Sequence, residues 1–255
     1  MIPETIDIFM TCYLRPEMTD QSLQYLRERT KHKFRLVIIH YGGNEEVLEK
    51  HSDIIDLVIT PSRRNGKDSP VNLGIHSAWN LALSMAVSKY FITTDNDIYV
   101  PDLEPDWLTQ LSALLDQREE FGAISLHPHV FIGAAGLDHK DTSLPDVVER
   151  NMCGAVMRIM RLDAVIKAGG WEHKLDPRRN HEERTICSRL QSLGYKVGIT
   201  SRIRAYHPFG KKTGGNWGYP EWFTPQLQGH TPELKDYVVN FDNPDAYDQK
   251  TWLPL

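Results

Sequence analysis

Short apolar segments of strand length alternate with amphipathic helical patterns along the first hundred residues, and this alternation restricts the possible folds more than any other feature. The apolar segments run from Ile6 to Thr11, Phe34 to Ile39, Ile54 to Thr60 and Tyr90 to Thr94. Between them, Thr19 is placed to cap one helix and a second helical stripe begins at Ile75. The alternation predicts an α/β fold with a mostly parallel, Rossmann-like sheet flanked by helices.

The second half of the sequence is less regular. We predict strands from Ala123 to Leu126 and from Gly154 to Ile159, separated by a long irregular loop from His127 to Arg150. A short helix from Arg161 to Ala168 is expected to stop at Gly169-Gly170. A last helix follows His181 and ends at Gly194, because its apolar positions Ile186, Leu190 and Leu193 form one stripe.

Polar or glycine-rich residues follow four of the predicted strands. They are Thr11 to Arg15, His40 to Asn44, Pro61 to Gly66, and the acidic run Asp95-Asn96-Asp97. Ligands of such sheets bind beyond the carboxyl ends of the strands, so this edge is predicted to be a nucleotide-binding crevice. Two carboxylates one residue apart can hold a hard divalent cation, although an exposed turn or a helix N-cap has the same sequence pattern.

Composition limits the alternatives. The chain has 255 residues, 40% of them hydrophobic, so it is long enough to bury a full core without disulfides or a structural metal. Its formal net charge of -5 disfavours a general nucleic-acid binder. Cys12, Cys153 and Cys187 are odd in number and never spaced as C-x-x-C, which favours a reducing compartment over a disulfide framework or a zinc knuckle. We therefore expect a cytoplasmic protein, with no secretion signal and no apolar run that spans a bilayer.

Two adjacent acids, Glu182 and Glu183, open the last predicted helix. Their spacing from Ile186 and Cys187 puts both near the inward-facing side of the first turn. Acids in a first turn also complement the helix dipole, so position alone leaves catalysis and helix stabilisation as alternatives.

Together these segments resemble a family-two glycosyltransferase with the GT-A fold. The resemblance extends over roughly Ile6 to His207. It rests on Cys12 to Pro16, Asn72-x-Gly74 with Ala78-x-Asn80, Asp95-Asn96-Asp97, Gly154 to Arg158, Gly169-Gly170-Trp171, Glu182-Glu183 with Cys187-x-Arg189-Leu190, Gly194 to Val197, and Tyr206-His207.

The resemblance implies transfer of a sugar from a nucleotide diphosphate donor to a hydroxyl group. Asp97 is then expected to bind Mn²⁺ or Mg²⁺, with His207 as a further protein ligand. Asp95 would contact the donor ribose, or the metal through water. Such a cation offsets the charge that develops on the leaving diphosphate.

Glu183 matches the acidic residue that serves as general base in inverting members of the family. The family more often has Glu-Asp here, whereas this chain has Glu182-Glu183. Glu182 is therefore the second candidate for the catalytic acid pair, either as the base or as an anchor for an acceptor hydroxyl.

The donor nucleotide is left open by the sequence. His40-Tyr41-Gly42-Gly43 stands where many relatives have an acidic pair that recognises uracil, so UDP, GDP and dTDP donors all remain candidates. The complete set of predicted donor-binding residues is Thr11, Tyr13, Arg15, His40, Arg63, Asn72, Asp95 and Asn96.

The predicted domain organisation is a single GT-A domain over residues 1–207, with a donor half at 1–100 and an acceptor and catalytic half at 101–207. Residues 208–255 are expected to form a loop-rich extension or lid. The resemblance implies an acceptor that is a glycan, a lipid-linked saccharide or another hydroxyl compound. We expect the enzyme to work in the cytoplasm or peripherally at a membrane surface. A homo-oligomer is compatible with the sequence. The alternatives are a nucleotidyltransferase on a related sheet and a non-catalytic sugar-nucleotide-binding protein.

Overall fold

Within the residues that the structure describes, eight strands form one sheet. The structure is a computed structural model that describes residues 4–61, 73–128, 143–171, 182–208, 245 and 248–252. The strands are β1 (Ile6–Cys12), β2 (Phe34–His40), β3 (Leu57–Ile59), β4 (Tyr90–Asp95), β5 (Phe121–Pro128), β6 (Val147–Arg150), β7 (Arg158–Arg161) and β8 (Lys196–Ala205).

The sheet is mostly parallel, and its order is β3-β2-β1-β4-β7-β5-β8-β6. Strands β3, β2, β1 and β4 run parallel to one another, and so do β5 and β8. β7 lies antiparallel between β4 and β5, and β6 lies antiparallel at the edge beside β8. The carboxyl ends of β1, β2, β4, β5 and β8 therefore meet at one edge of the sheet, and the predicted α/β fold is confirmed.

Helices cover both faces of this sheet. In the described part of the chain they are α1 (Pro16–Arg29), α2 (Glu45–Lys50), α3 (Ile75–Met85), α4 (Trp107–Gln117), α5 (Leu162–Lys167) and α6 (Glu182–Ser192). One buried cluster joins α1 and α4 to residues such as Ile8, Ile92 and Ile124. The other joins α3, α5 and α6 to Phe9 and Phe91. Because successive strand residues point to opposite faces, these two clusters are the two sides of the sheet.

The structure corrects several predicted element boundaries. Thr19 does not cap α1, which begins at Pro16; the Thr19 hydroxyl instead donates to the carbonyl of Arg15. Proline suits the first turn of a helix because it has no N–H to leave unpaired. β3 begins at Leu57 instead of Ile54, since the chain from 51 to 54 is a turn that closes α2.

Two strands differ from prediction in the second half. The segment predicted as a loop from His127 to Arg150 contains the end of β5 and the edge strand β6. The strand predicted from Gly154 to Ile159 is β7, which begins only at Arg158. Helices α2 and α4 are additional to the predicted ones. The predicted helices at Ile75 and Glu182 are confirmed.

The end of the described chain packs into the buried cluster that contains α1. Trp252 is fully buried, and its ring lies 5.1 Å from that of Tyr206 and 6.2 Å from that of Tyr25. Tyr206 also pairs with Tyr99 as an isolated antiparallel bridge, with backbone N–H···O distances of 2.8 and 2.9 Å. This bridge fixes the chain directly after β8 against the chain that follows β4.

Candidate active site

Asp95 ends β4 at the centre of the carboxyl edge. The hydroxyl of Thr11, at the same edge of the neighbouring strand β1, donates to Oδ1 of Asp95 over 2.7 Å. Burial, together with the charge of Asp97, raises the pKa of Asp95 to about 7. The structure thus brings together two residues that the sequence assigns to the donor site.

Asn96 supports the loop after β1. Its side-chain amide, only 6% exposed, donates to the carbonyl of Leu14 over 3.0 Å and to the hydroxyl of Thr19 over 2.6 Å. Leu14 and Arg15 both have positive φ, of 55° and 59°, which non-glycine residues rarely adopt without such support. Asn96 therefore holds Arg15 at the edge of the sheet.

Asp97 lies between two cationic side chains. Nη1 of Arg15 forms a short ion pair with Oδ2, and Nε2 of His207 lies 3.4 Å from Oδ1. His207 reaches this position because the neighbouring Tyr206 is bonded to the backbone of Tyr99, two residues after Asp97. Burial alone would raise the pKa of Asp97, but His207 and Arg15 hold it below its usual range.

The donor set at Asp97 fits a divalent cation. Oδ1 of Asp97 is buried and accepts no hydrogen bond of good geometry from the residues that the structure describes. The 3.4 Å between this oxygen and Nε2 of His207 suits two ligands of one ion, each about 2.0–2.2 Å from it. In the described part of the chain, no group of three His, Cys, Asp or Glu side chains could hold a metal ion, and Oδ1 of Asp95 accepts from Thr11. Asp97 and His207 are thus two side chains of the described chain that could hold such an ion together.

Glu182 takes part in a buried ion pair. Its Oε2 accepts from Nη2 of Arg158 over 2.9 Å and from the indole N–H of Trp171 over 3.0 Å. Arg158 is completely buried on β7 and also donates to the hydroxyl of Thr93 on β4 and to the carbonyl of Cys153. This network attaches the start of α6 to the strand that ends in Asp95.

Glu183 has a different environment, although it is the next residue. It is partly exposed, and no hydrogen bond from another described side chain to its carboxylate is found. Burial and the charge of Glu182 raise the pKa of Glu183 to about 7, while Arg158 opposes that rise. A carboxyl with a pKa near neutrality can accept a proton at physiological pH.

His40 lies at the end of β2 and is 4% exposed. Its Nδ1 lies 3.4 Å from the hydroxyl of Thr60, and its Nε2 lies 3.7 Å from Oε1 of Glu45 at the start of α2. Burial lowers the pKa of His40, so the ring is neutral near pH 7. Tyr13 directly follows β1 and is partly buried against the cluster that contains Phe9 and Phe91. Arg63 and Asn72 lie outside the described residues.

Two sequence motifs meet behind the site. Oδ1 of Asn80 on α3 accepts from the backbone N–H of Trp171, and its Nδ2 donates to the carbonyl of Trp171, over 2.9 and 3.0 Å. Gly170 has φ of 65°, and a Cβ there would lie 2.6 Å from Oδ1 of Asn80. The glycine is therefore needed for the contact that positions Trp171 against Glu182.

Sequence reasoning missed the partners of the acidic residues. Arg158 gave one signal, a cation that ends the apolar run Gly154 to Met157, but the contact of Arg158 with Glu182 joins residues 24 positions apart. Glu45 and Thr60 gave none, because a surface acid and a strand-end threonine are common.

The model of glycosyl transferase family 2 matches residues 7–160, which is more than half of the chain. The chain belongs to this glycosyltransferase family. The match includes β1 from Asp7 onward, β4 and the acidic run Asp95-Asn96-Asp97, but it ends before Glu183 and His207. No curated protein sequence matches the chain at a significant level.

Solved structures of glycosyltransferases share the GT-A fold of this family-2 chain. The mannosyltransferase PcManGT from Pyrobaculum calidifontis, in complex with GDP-Man and Mn²⁺, has a TM-score of 0.61 and 14% identity over 92% of this chain and 68% of its own. TarS 1-349 from S. aureus, in complex with UDP-GlcNAc, has a TM-score of 0.58 and 13% identity over 92% of this chain and 68% of its own. GalNAc-T7 with UDP, GalNAc and Mn²⁺ has a TM-score of 0.58 and 12% identity over 79% of this chain and 43% of its own. None of the helices in the described ranges combines the length and apolar character needed to cross a membrane.

Proposed function

We propose that this family-2 glycosyltransferase moves a sugar from a nucleoside diphosphate donor to an acceptor hydroxyl, with inversion at the anomeric carbon and with Glu183 as the general base. The observation that carries the proposal is the division of one sheet edge into two parts. Asp97 and His207 form the first part, and Glu183 forms the second. The charge of Glu183 also contributes to the raised pKa of Asp95, which supports the proximity of the two parts.

The residues of the first part fit the diphosphate end of the donor. A divalent ion, Mn²⁺ or Mg²⁺, held by Asp97 and His207 would supply positive charge that offsets the charge on the leaving diphosphate. Arg15 is already held against Asp97 by the loop that Asn96 supports, so its guanidinium is placed to bind a phosphate oxygen. Mn²⁺ in the complexes of PcManGT and GalNAc-T7 supports this proposal.

We assign the role of general base to Glu183 because Glu182 is already paired with Arg158. Glu182 stabilises the buried charge of Arg158, and withdrawing it from that pair would leave a guanidinium buried without a partner. The pKa of about 7 lets Glu183 take the proton of the acceptor hydroxyl while the oxygen attacks the anomeric carbon. We assign Glu182 the role of holding α6, and with it Glu183, against β4.

We propose that His40, with Thr60 and Glu45, lines the place of the donor base. The His40 ring is buried and neutral, so one of its nitrogens donates and the other accepts. This arrangement is compatible with UDP, GDP and dTDP, and the complexes with GDP-Man and UDP-GlcNAc cover two of these nucleotides.

Product analysis tests the proposal. The protein is incubated with UDP-, GDP- and dTDP-sugars and a panel of glycan and lipid-linked acceptors, with Mn²⁺, with Mg²⁺ or with EDTA. Release of a nucleoside diphosphate and formation of a glycoside of opposite anomeric configuration are expected, with loss of both in EDTA and in Asp97→Ala. Release of pyrophosphate from a nucleoside triphosphate would indicate a nucleotidyltransferase instead. Binding of a donor without turnover on any acceptor would favour the non-catalytic alternative.

A further inference from the structure

A second basic cluster lies at the same sheet edge, two strands away from Asp95. His127 near the end of β5 is paired in register with Arg204 on the parallel strand β8. The two side chains are only 2% and 5% exposed.

In the described part of the chain, no acidic side chain pairs with His127 or with Arg204. Nδ1 and Nε2 of His127 are both buried and make no hydrogen bond. Arg204 donates only to two backbone carbonyls, those of Ser201 over 3.2 Å and of Thr251 over 3.5 Å. Leaving buried polar groups without partners is costly, so a histidine with two such nitrogens beside an arginine indicates a missing hydrogen-bonding group.

The electrostatics of the cluster give the sign of that group. Burial, with the positive charges of Arg204 and Arg150, lowers the pKa of His127 to about 4. Burial also lowers the pKa of Arg204. A negative ligand would offset this local excess of positive charge, and an oxyanion would accept hydrogen bonds from both side chains.

The position of the cluster indicates which substrate bears the oxyanion. β5 is separated from β4 by β7 alone, so His127 lies about 10 Å from the strand of Asp95 at the usual spacing of about 4.8 Å between strands. Of the donor residues, Arg15 follows β1 and His40 ends β2, both on the opposite side of β4 from His127, and Asp97 follows β4 itself. The start of α6, which bears Glu183, is attached through Glu182 and Arg158 to β7, the strand between β4 and β5. His127 therefore lies on the side of β4 to which Glu183 is attached.

We propose that His127 and Arg204 bind a phosphate group of the acceptor. The assignment of this phosphate to the acceptor rests on the proposed function. Binding of an anion by His127 and Arg204 does not depend on it. The phosphate ester would take hydrogen bonds from the His127 ring and the Arg204 guanidinium, and it would place the acceptor hydroxyl beside Glu183.

The anion site is tested by titrating inorganic phosphate into protein labelled with ¹⁵N-histidine, with sodium chloride at equal ionic strength as the control. The signals of His127 and His207, among the 11 histidines of the chain, are assigned from His127→Leu and His207→Gln. We expect the His127 signals to shift saturably with phosphate. Unchanged His127 signals, or a shift that chloride reproduces, would overturn the proposal, and a shift confined to His207 would place the anion in the donor site instead.

Variants on β8 add a matched pair. Arg204→Met is expected to weaken phosphate binding at His127 at least tenfold. Arg202→Met, which removes a side chain that is 62% exposed on the same strand, is expected to leave it unchanged. Equal effects of the two substitutions would contradict the proposal. If Arg204→Met does not fold, His127→Leu still decides the question, because it removes no side-chain hydrogen bond and phosphate should no longer raise its melting temperature.

A last comparison separates an acceptor phosphate from free phosphate as an effector. Glycerol 3-phosphate should shift the His127 signals at least as strongly as inorganic phosphate. If inorganic phosphate shifts the His127 signals and glycerol 3-phosphate does not, the assignment of the site to the acceptor is overturned. Binding of nucleoside diphosphate with Mn²⁺ is measured in parallel in His127→Leu. If neither the wild type nor His127→Leu binds nucleoside diphosphate with Mn²⁺, the proposed function is contradicted, whatever the result for the anion site.

Discussion

Replacing each of the two adjacent glutamates by glutamine should change stability in opposite directions. Glu182 is 6% exposed and neutralises Arg158, which is completely buried. Removing one partner of a buried ion pair costs about 3–5 kcal/mol, because the other charge is left without compensation. For a chain of this size each 1 kcal/mol lowers the melting temperature by roughly 2–4 °C. Glu182→Gln should therefore melt roughly 10 °C below the wild type.

Glu183→Gln should instead stabilise the protein at pH 8. Burial and Glu182 raise the pKa of Glu183 from 4.5 to about 7. The folded state keeps this proton to a higher pH than the unfolded chain does, so the free energy of unfolding falls as pH rises from 4.5 to about 7. At about 1.4 kcal/mol per tenfold change in the proton equilibrium, the loss is at most about 3.5 kcal/mol. Glutamine has no charge to desolvate and removes this cost.

The assays are thermal unfolding and urea unfolding, both followed by circular dichroism at pH 5 and pH 8. The stabilisation by Glu183→Gln should be present at pH 8 and much smaller at pH 5, where the carboxyl is largely protonated in the folded state. The destabilisation by Glu182→Gln should be present at pH 8. If both variants lose stability equally, or if Glu182→Gln is as stable as the wild type, the assignment of Glu182 to structure and Glu183 to catalysis is refuted.

Three further predictions concern the pH profile, the metal and the glycine behind the site. The ratio kcat/KM should rise from pH 6 to pH 8 with an apparent pKa near 7, as Glu183 loses its proton; a profile flat over this range would exclude it as the base. Asp97→Asn should weaken Mn²⁺ binding at least tenfold in electron paramagnetic resonance titrations, and an unchanged affinity would place the metal elsewhere. Gly170→Ala should cost about 1–3 kcal/mol, because φ is 65° and the new Cβ would lie 2.6 Å from Oδ1 of Asn80. Gly154→Ala is its control, since nothing lies within 4 Å of a Cβ there, and equal losses would contradict the steric reasoning.

The parts of the fold that could be predicted are those where local pattern and tertiary packing agree. β1, β2 and β4 are continuous apolar runs because they are buried on both faces of the sheet, and α3 and α6 present one apolar stripe each. β6 was missed because it is a short edge strand with alternating burial, preceded by a long irregular sequence. β7 was misplaced because the apolar residues before Arg158 are buried without being a strand.

The candidate site shows the same limit. Asp95, Asp97 and Glu183 could be named from the sequence, because carboxylates at a strand end and at a helix start are local features. The different environments of Glu182 and Glu183 could not be predicted, since they depend on the contact of Arg158 on β7 with Glu182. Likewise, the ion pair of Arg15 with Asp97 follows from a loop conformation with positive φ that no local pattern in the sequence signals.

The most direct test of the divided site is to measure donor binding and turnover separately in Glu183→Gln. The nucleotide sugar that the wild type uses is titrated with Mn²⁺ by calorimetry, and transfer is measured in single turnovers at pH 8. We predict a donor dissociation constant within about twofold of the wild type, and a transfer rate at least about a hundredfold lower, in the range of a lost general base. Turnover near the wild-type rate, or loss of donor binding together with turnover, would contradict the account.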